Sequence, residues 1–143
     1  DPESISIALT AAETGHLVFS TLHTNSASQT VDRIIDSFPA NQQGQIRSQL
    51  ASTLLGIVSE RLAPRIKGGR IPACEVMIAN SAIRNLIREG KTYQLDLIID
   101  TSSQEGMISL NRSLVELVRR REISVEVAEN YSLNPSELRQ LLG

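Results

Sequence analysis

A chain of 143 residues suits one globular domain or two small ones. Its 41% apolar and 21% charged residues are ordinary for a folded domain, and a net charge of −2 excludes the strong basic excess of a general nucleic-acid binder. A single cysteine, Cys74, excludes an internal disulfide and a zinc ribbon and fits a reducing compartment, while no apolar run approaches the roughly 18 residues of a membrane span.

Asp1, Pro2 and Glu3 predict a helix start, with a cap, a proline at the first position and an acid in the first turn. Ile5, Ala8, Leu9 and Ala12 follow as one apolar stripe, and Gly15 ends the helix. Leu17–Leu22 reads as a short, buried, central strand. Ser26 opens a second helix carrying Val31, Ile34, Ile35 and Phe38 on one face, and Pro39 stops it. A third helix is expected from about Asn41 to about Val58.

Two extended runs, Arg61–Lys67 and Arg70–Ile78, are expected to form a hairpin turning at Gly68-Gly69, with Pro64 and Pro72 marking a sheet edge. Beyond Ile78 the pattern is helical. Asn80-Ser81 caps a helix ending at Gly90, a less regular stretch covers Thr92–Ile99, and Leu110, Leu114, Leu117 and Val118 mark another helix. Asn134-Pro135-Ser136-Glu137 starts the last one, with Glu137 expected to reciprocate the cap. A domain boundary is expected near residue 78.

The chemistry concentrates at the end of the expected strand. Thr21, His23, Thr24, Asn25 and Ser26 crowd its carboxyl end, where open α/β sheets bind ligands. The free N–H groups of the following helix are expected to meet an anion there. His23 is read as facing a phosphate in preference to a plain strand cap, and His16 is balanced between packing and a supporting role. Metal binding by the two histidines is disfavoured, because an odd separation puts them on opposite faces of a strand and no acidic or cysteine cluster joins them. Cys74 lacks a nearby base and reads as a small core residue.

On a helix, Arg84 and Arg88 share one face with Ile83, Leu86 and Ile87 turned inward. Arg84, Asn85 and Arg88 are read as a docking face for an acidic surface, against the alternative of a solvated face. Arg119-Arg120-Arg121-Glu122 reads as a solvated helix end. No Gly-x-x-x-x-Gly-Lys-Ser/Thr loop occurs in the chain, so a phosphate cradle is not expected from these residues. With no initial methionine, the chain reads as a fragment of a longer protein.

Thr14-Gly15-His16-Leu17-Val18-Phe19-Ser20-Thr21-Leu22-His23-Thr24-Asn25 closely resembles the histidine box of the type II/IV secretion ATPase family. Asp32–Pro39 is similar to the family's next helix, and Asp1–Ile5 to the tail of its Walker B region, whose catalytic glutamate is expected upstream. Ala82–Glu89 matches a motif of the family's pilus-retraction branch, and the four-cysteine motif of the extension and type II secretion branch is missing. The resemblance implies an α/β fold, with 1–78 the C-terminal portion of a RecA-like ATPase core and 79–143 a helical domain. It implies a hexameric motor that uses ATP and Mg2+ to drive pilus retraction and twitching motility. Such a motor would be cytoplasmic, peripheral to the inner membrane at the pilus base, with a platform membrane protein as partner and no nucleic acid. His23 would be catalytic at the γ-phosphate, Thr24 and Arg33 would bind nucleotide, and Arg84, Asn85 and Arg88 would serve retraction. Another secretion-family ATPase and a non-enzymatic docking module remain the alternatives, and this chain alone is expected to be inactive.

Overall fold

Asp1 accepts the Ser4 N–H on its side chain and Pro2 takes the first helical position, so α1 (Pro2–Glu13) starts where an orphan donor is satisfied and a missing one costs nothing. The computed structural model describes residues 1–143. After α1 come α2 (Ala27–Asp36), α3 (Ala40–Thr53), β1 (Gly56–Pro64), β2 (Arg70–Ile78), α4 (Ser81–Glu89), α5 (Leu95–Thr101), α6 (Leu110–Arg119), α7 (Val125–Tyr131) and α8 (Pro135–Leu142). Single 3-10 turns at Thr92–Gln94 and Ser103–Glu105 flank α5.

The expected buried strand at Leu17–Leu22 is not one in this chain. The segment is extended but belongs to no ladder, and Leu17, Val18 and Phe19 are 68%, 38% and 89% exposed. A strand needs a neighbour for its N–H and C=O groups, and the chain's one sheet, the antiparallel pair β1–β2, lies elsewhere.

The third helix stops at Thr53, five residues short of the expected Val58, and β1 starts at Gly56, five before the expected Arg61. Ile57 and Val58 fit either period when read locally. The hairpin decides: Gly56 pairs with Ile78, and a Cβ on Gly56 would stand 2.9 Å from the Met77 carbonyl oxygen. The turn is as expected. Gly68 and Gly69 take φ of 91° and 76°, which glycine adopts freely, and the Arg65 N–H bonds the Gly69 carbonyl at 3.0 Å. Beyond it, Val76 exchanges two backbone hydrogen bonds with Ile108, adding a single bridge at the free edge of β2.

The hairpin is flanked by two apolar cores. One collects Leu9, Val31, Ile35, Leu50, Met77, Ile83, Ile87, Leu95 and Ile99 from α1–α5 and the end of β2. The other collects Ala63, Ala73, Leu110, Leu114, Leu117, Ile123, Ala128 and Leu138 from the rest of the hairpin and α6–α8. Residues on both sides of position 78 therefore share the first core, through Val31 and Met77 on one side and Ile83 and Ile87 on the other.

Two smaller expectations also change. The stretch Thr92–Ile99 contains regular helix from Leu95, and α7, capped by Ser124 accepting the Val127 N–H, was not expected. Asn134 caps α8 as expected, but Glu137 does not reciprocate. Its Oε2 instead accepts from Asn111 Nδ2 at 2.6 Å, tying α8 to α6 through a buried asparagine.

Candidate functional site

Residues 23–25 run directly into α2, whose cap is Ser26: its Oγ accepts the Gln29 N–H at 3.2 Å. Thr24 and Thr30 hydroxyls meet at 2.6 Å, Thr30 donates on to the Ser26 carbonyl, and the Asn25 N–H bonds Gln29 Oε1 at 3.2 Å. These bonds fold the turn back over the start of the helix. A polar groove results, lined by His23, Thr24 and Asn25 on one side and Asp32, Arg33 and Asp36 of α2 on the other, with no apolar side chain. His23, Asn25 and Arg33 are exposed within it.

The expected free helix N-terminus is only partly free, because three of the first four N–H groups of α2 are already bonded. The Ala27 N–H, the first of α2, is bonded to Glu75 Oε1 at 2.7 Å, and the Gln29 and Thr30 N–H groups are taken by Ser26. A carboxylate supplied by β2 already stands where a bound anion would sit. Any phosphate in the groove would be met by side chains instead. The His23 ring, the Asn25 amide and the Arg33 guanidinium are the side chains of the groove that could donate to one. Asp32 and Asp36 make the groove a poor place to enclose one. No group of three or more His, Cys, Asp or Glu is placed to hold a metal ion, so these residues do not fit Mg2+ by themselves.

Asp32 does not face the groove alone. Its Oδ1 accepts from the Thr92 hydroxyl at 2.7 Å, which links α2 to the turn after α4. His16 lies away from the groove, with Nδ1 near the Thr14 hydroxyl at 3.1 Å and the Ala11 carbonyl at 3.3 Å, and so finishes α1.

Arg84, Asn85 and Arg88 separate into two environments. Arg84 is half-buried and donates from Nη1 to the Ala51 carbonyl in the last turn of α3 at 2.6 Å, a charged cap on an orphan acceptor. Arg88 and Asn85 are exposed and bonded to each other at 3.0 Å. The expectation that both arginines are exposed therefore holds for Arg88 only. At the end of α6, Glu122 is not simply solvated: its carboxylate meets Arg65 Nη2 at 2.6 Å, its carbonyl takes the Ile66 N–H, and the preceding Arg121 carries a φ of 57°.

Sequence reasoning missed Glu75. The signal was there in the alternation of β2, where Ala73, Glu75 and Met77 all point inward and only the middle one is ionisable. Burial pushes its carboxyl above the usual range, N–H groups of Ala27 and Leu110 pull it back, and Asp96 and Asp100 push it up again. Cys74, on the opposite face of β2, is half-buried and not a core residue, and partial burial followed by Glu60 raises its thiol pKa, away from nucleophilic use.

The hairpin and its flanking helices form an α/β arrangement with a polar groove at the start of α2. The crystal structure of the pilus retraction motor PilT with bound ADP aligns with 98% of this chain and 39% of that one, with a TM-score of 0.88 and 47% identity. The chain belongs to the type II/IV secretion system protein family, whose model matches residues 1–134. It is 46% identical over 139 residues to a twitching motility protein of Neisseria gonorrhoeae and 48% identical over 135 residues to the type IV pilus retraction ATPase PilT of Pseudomonas aeruginosa. These alignments cover 96% and 94% of this chain but 37% and 39% of the relatives.

Proposed function

We propose that this chain is the C-terminal portion of a hexameric motor ATPase that drives type IV pilus retraction and twitching motility. The observation that carries the reading is near-half identity to a named retraction ATPase across 94% of the chain. In the parent protein, residues 1–78 would complete the RecA-like core and 79–143 the helical domain. The extended Leu17–Leu22 would gain its neighbour strands from the rest of that core, which accounts for its exposed Val and Phe.

His23, Thr24 and Arg33 would contact the nucleotide along its γ-phosphate edge, with His23 as the catalytic contact. ATP supplies the transferable phosphoryl group. These side chains would stabilise charge on its oxygens, because phosphoryl transfer depends mainly on positioning and electrostatics. Mg2+ would be held by residues outside this chain. Arg88 and Asn85, with Arg84 setting the position of their helix, would present the output face to a platform membrane protein. The motor would work in the cytoplasm against the inner membrane. No helix of this chain is long and apolar enough to cross a membrane.

The test is Mg-ATP hydrolysis by the full-length protein and its His23→Ala variant. Turnover should fall by about 100-fold or more, the range seen when a catalytic electrostatic contact is removed, with an unchanged melting temperature. A wild-type protein that hydrolyses no ATP, or a variant with full turnover, would sink the reading.

A further inference from the structure

Glu75 is the one buried acidic residue of the chain. It occupies the inward face of β2 between Ala73, which belongs to one core, and Met77, which belongs to the other. Its Oε1 accepts the first N–H of α2 at 2.7 Å. A helix N-terminus from the first core thus meets a carboxylate at the seam. The groups facing it from α5 are Asp96 and Asp100, and Arg112 of α6 stands 3.7 Å from Asp100. A well-packed apolar residue is often as stable as a buried charge or more so, so stability alone does not call for a glutamate here.

We propose that Glu75 is a positioning residue that fixes the His23–Ser26 turn against the hairpin, so that the orientation of His23 depends on the place of β2 at the seam of the two cores. The inference rests on the reading that His23 faces the nucleotide. The geometry behind it is direct: Ala27, the residue held by Glu75, follows Ser26, the cap of α2, and lies four positions after His23. Losing the bond frees the first N–H of α2 and lets the turn shift, and a misplacement near 1 Å at a reacting centre costs on the order of 100-fold.

The experiment compares steady-state ATP hydrolysis of the full-length protein with Glu75→Ala, Glu75→Gln and Glu75→Asp, beside Val115→Ala as a control that loosens the second core without touching the seam. Glu75→Ala should lower kcat at least about tenfold with KM nearly unchanged. Glu75→Gln keeps an oxygen for the Ala27 N–H and should restore kcat to within a few-fold. Glu75→Asp, one methylene shorter, keeps the charge without the reach and should behave like Glu75→Ala, so it carries the test if the alanine variant does not fold. The proposal is overturned if kcat of the folded Glu75 variants falls no further than that of Val115→Ala, or if Glu75→Gln is as impaired as Glu75→Asp. Absence of hydrolysis in the wild type overturns the nucleotide reading and this inference with it. Wild-type hydrolysis with Glu75 variants that follow the control overturns this inference alone.

Discussion

Arg84 and Arg88 sit four positions apart with the same chemistry, yet only one of them is free to meet a partner. Arg84 is held on the Ala51 carbonyl at 2.6 Å, so Arg84→Ala leaves the end of α3 without its charged donor. The expected loss is about 1.5 kcal/mol, the lower end for a hydrogen bond to a charged group because the side chain is half-exposed. Arg88→Ala removes only an exposed bond to Asn85 and should stay within about 0.5 kcal/mol. Denaturant melts of the two variants check this directly, and equal losses would mean that the Ala51 contact is not maintained in solution. In the full-length protein, Arg88→Ala should keep ATP hydrolysis and lose retraction, measured as ATPase rate beside twitching. A parallel fall of both would place α4 in the hydrolytic cycle instead of at a separate output face. The residue pattern of α4 made Ile83 and Ile87 legible as core, since both fall on the buried face. It could not tell Arg84 from Arg88, because the distinction depends on where the end of a different helix lies.

At the scale of elements, the hairpin joins everything else, and two predictions follow from how it does so. Gly56→Ala forces a Cβ to within 2.9 Å of the Met77 carbonyl oxygen, a backbone atom that cannot move without the strand. The substitution should destabilise by about 1–3 kcal/mol, the usual cost of overpacking. An unchanged melting midpoint would mean that the strands are not this close at their open end. The second prediction concerns Glu75, which links β2 to α2. Its folded pKa lies above its ordinary value, as does that of Asp96. The folded state therefore holds these protons more tightly than the unfolded state does. The associated stability is complete below the unfolded pKa values and is lost as pH rises through the folded ones. Glu75→Gln, which stays neutral, should match the wild type in melting temperature at pH 4 and exceed it increasingly toward pH 7. A constant difference across that range would show that the carboxylate does not titrate with a raised pKa. The sequence alone placed the glycine turn and β2 correctly because Gly68-Gly69 and the alternation of Arg70–Ile78 are local signals. It misplaced the junction of α3 and β1 because Leu54 to Val58 satisfies both periods, and pairing across the sheet settles which one holds.

For the whole molecule, the chain carries a polar groove at α2 and no Gly-x-x-x-x-Gly-Lys-Ser/Thr loop to grip phosphates. Titration of the 143-residue chain with Mg-ATP should give at most weak binding, because its Arg33 is accompanied by Asp32 and Asp36 and it has no phosphate-cradling loop. A stoichiometric submicromolar site would refute this. By itself the sequence determined the family, the caps of α1, α2, α4 and α8, the inward faces of α2 and α4, and the clustering of His23, Thr24 and Asn25 before α2. All of these rest on short-range spacing and on motif order, which survive without knowledge of any long-range contact. Only the tertiary structure decided that the first N–H of α2 is bonded by Glu75, that Arg84 caps α3, that Asp32 holds Thr92, and that the first core crosses residue 78. Each of those depends on residues 33 to 60 positions apart in the chain, or on elements separated by the hairpin. No local period carries information about such pairs, since which polar groups meet is fixed only when the two cores close around the sheet.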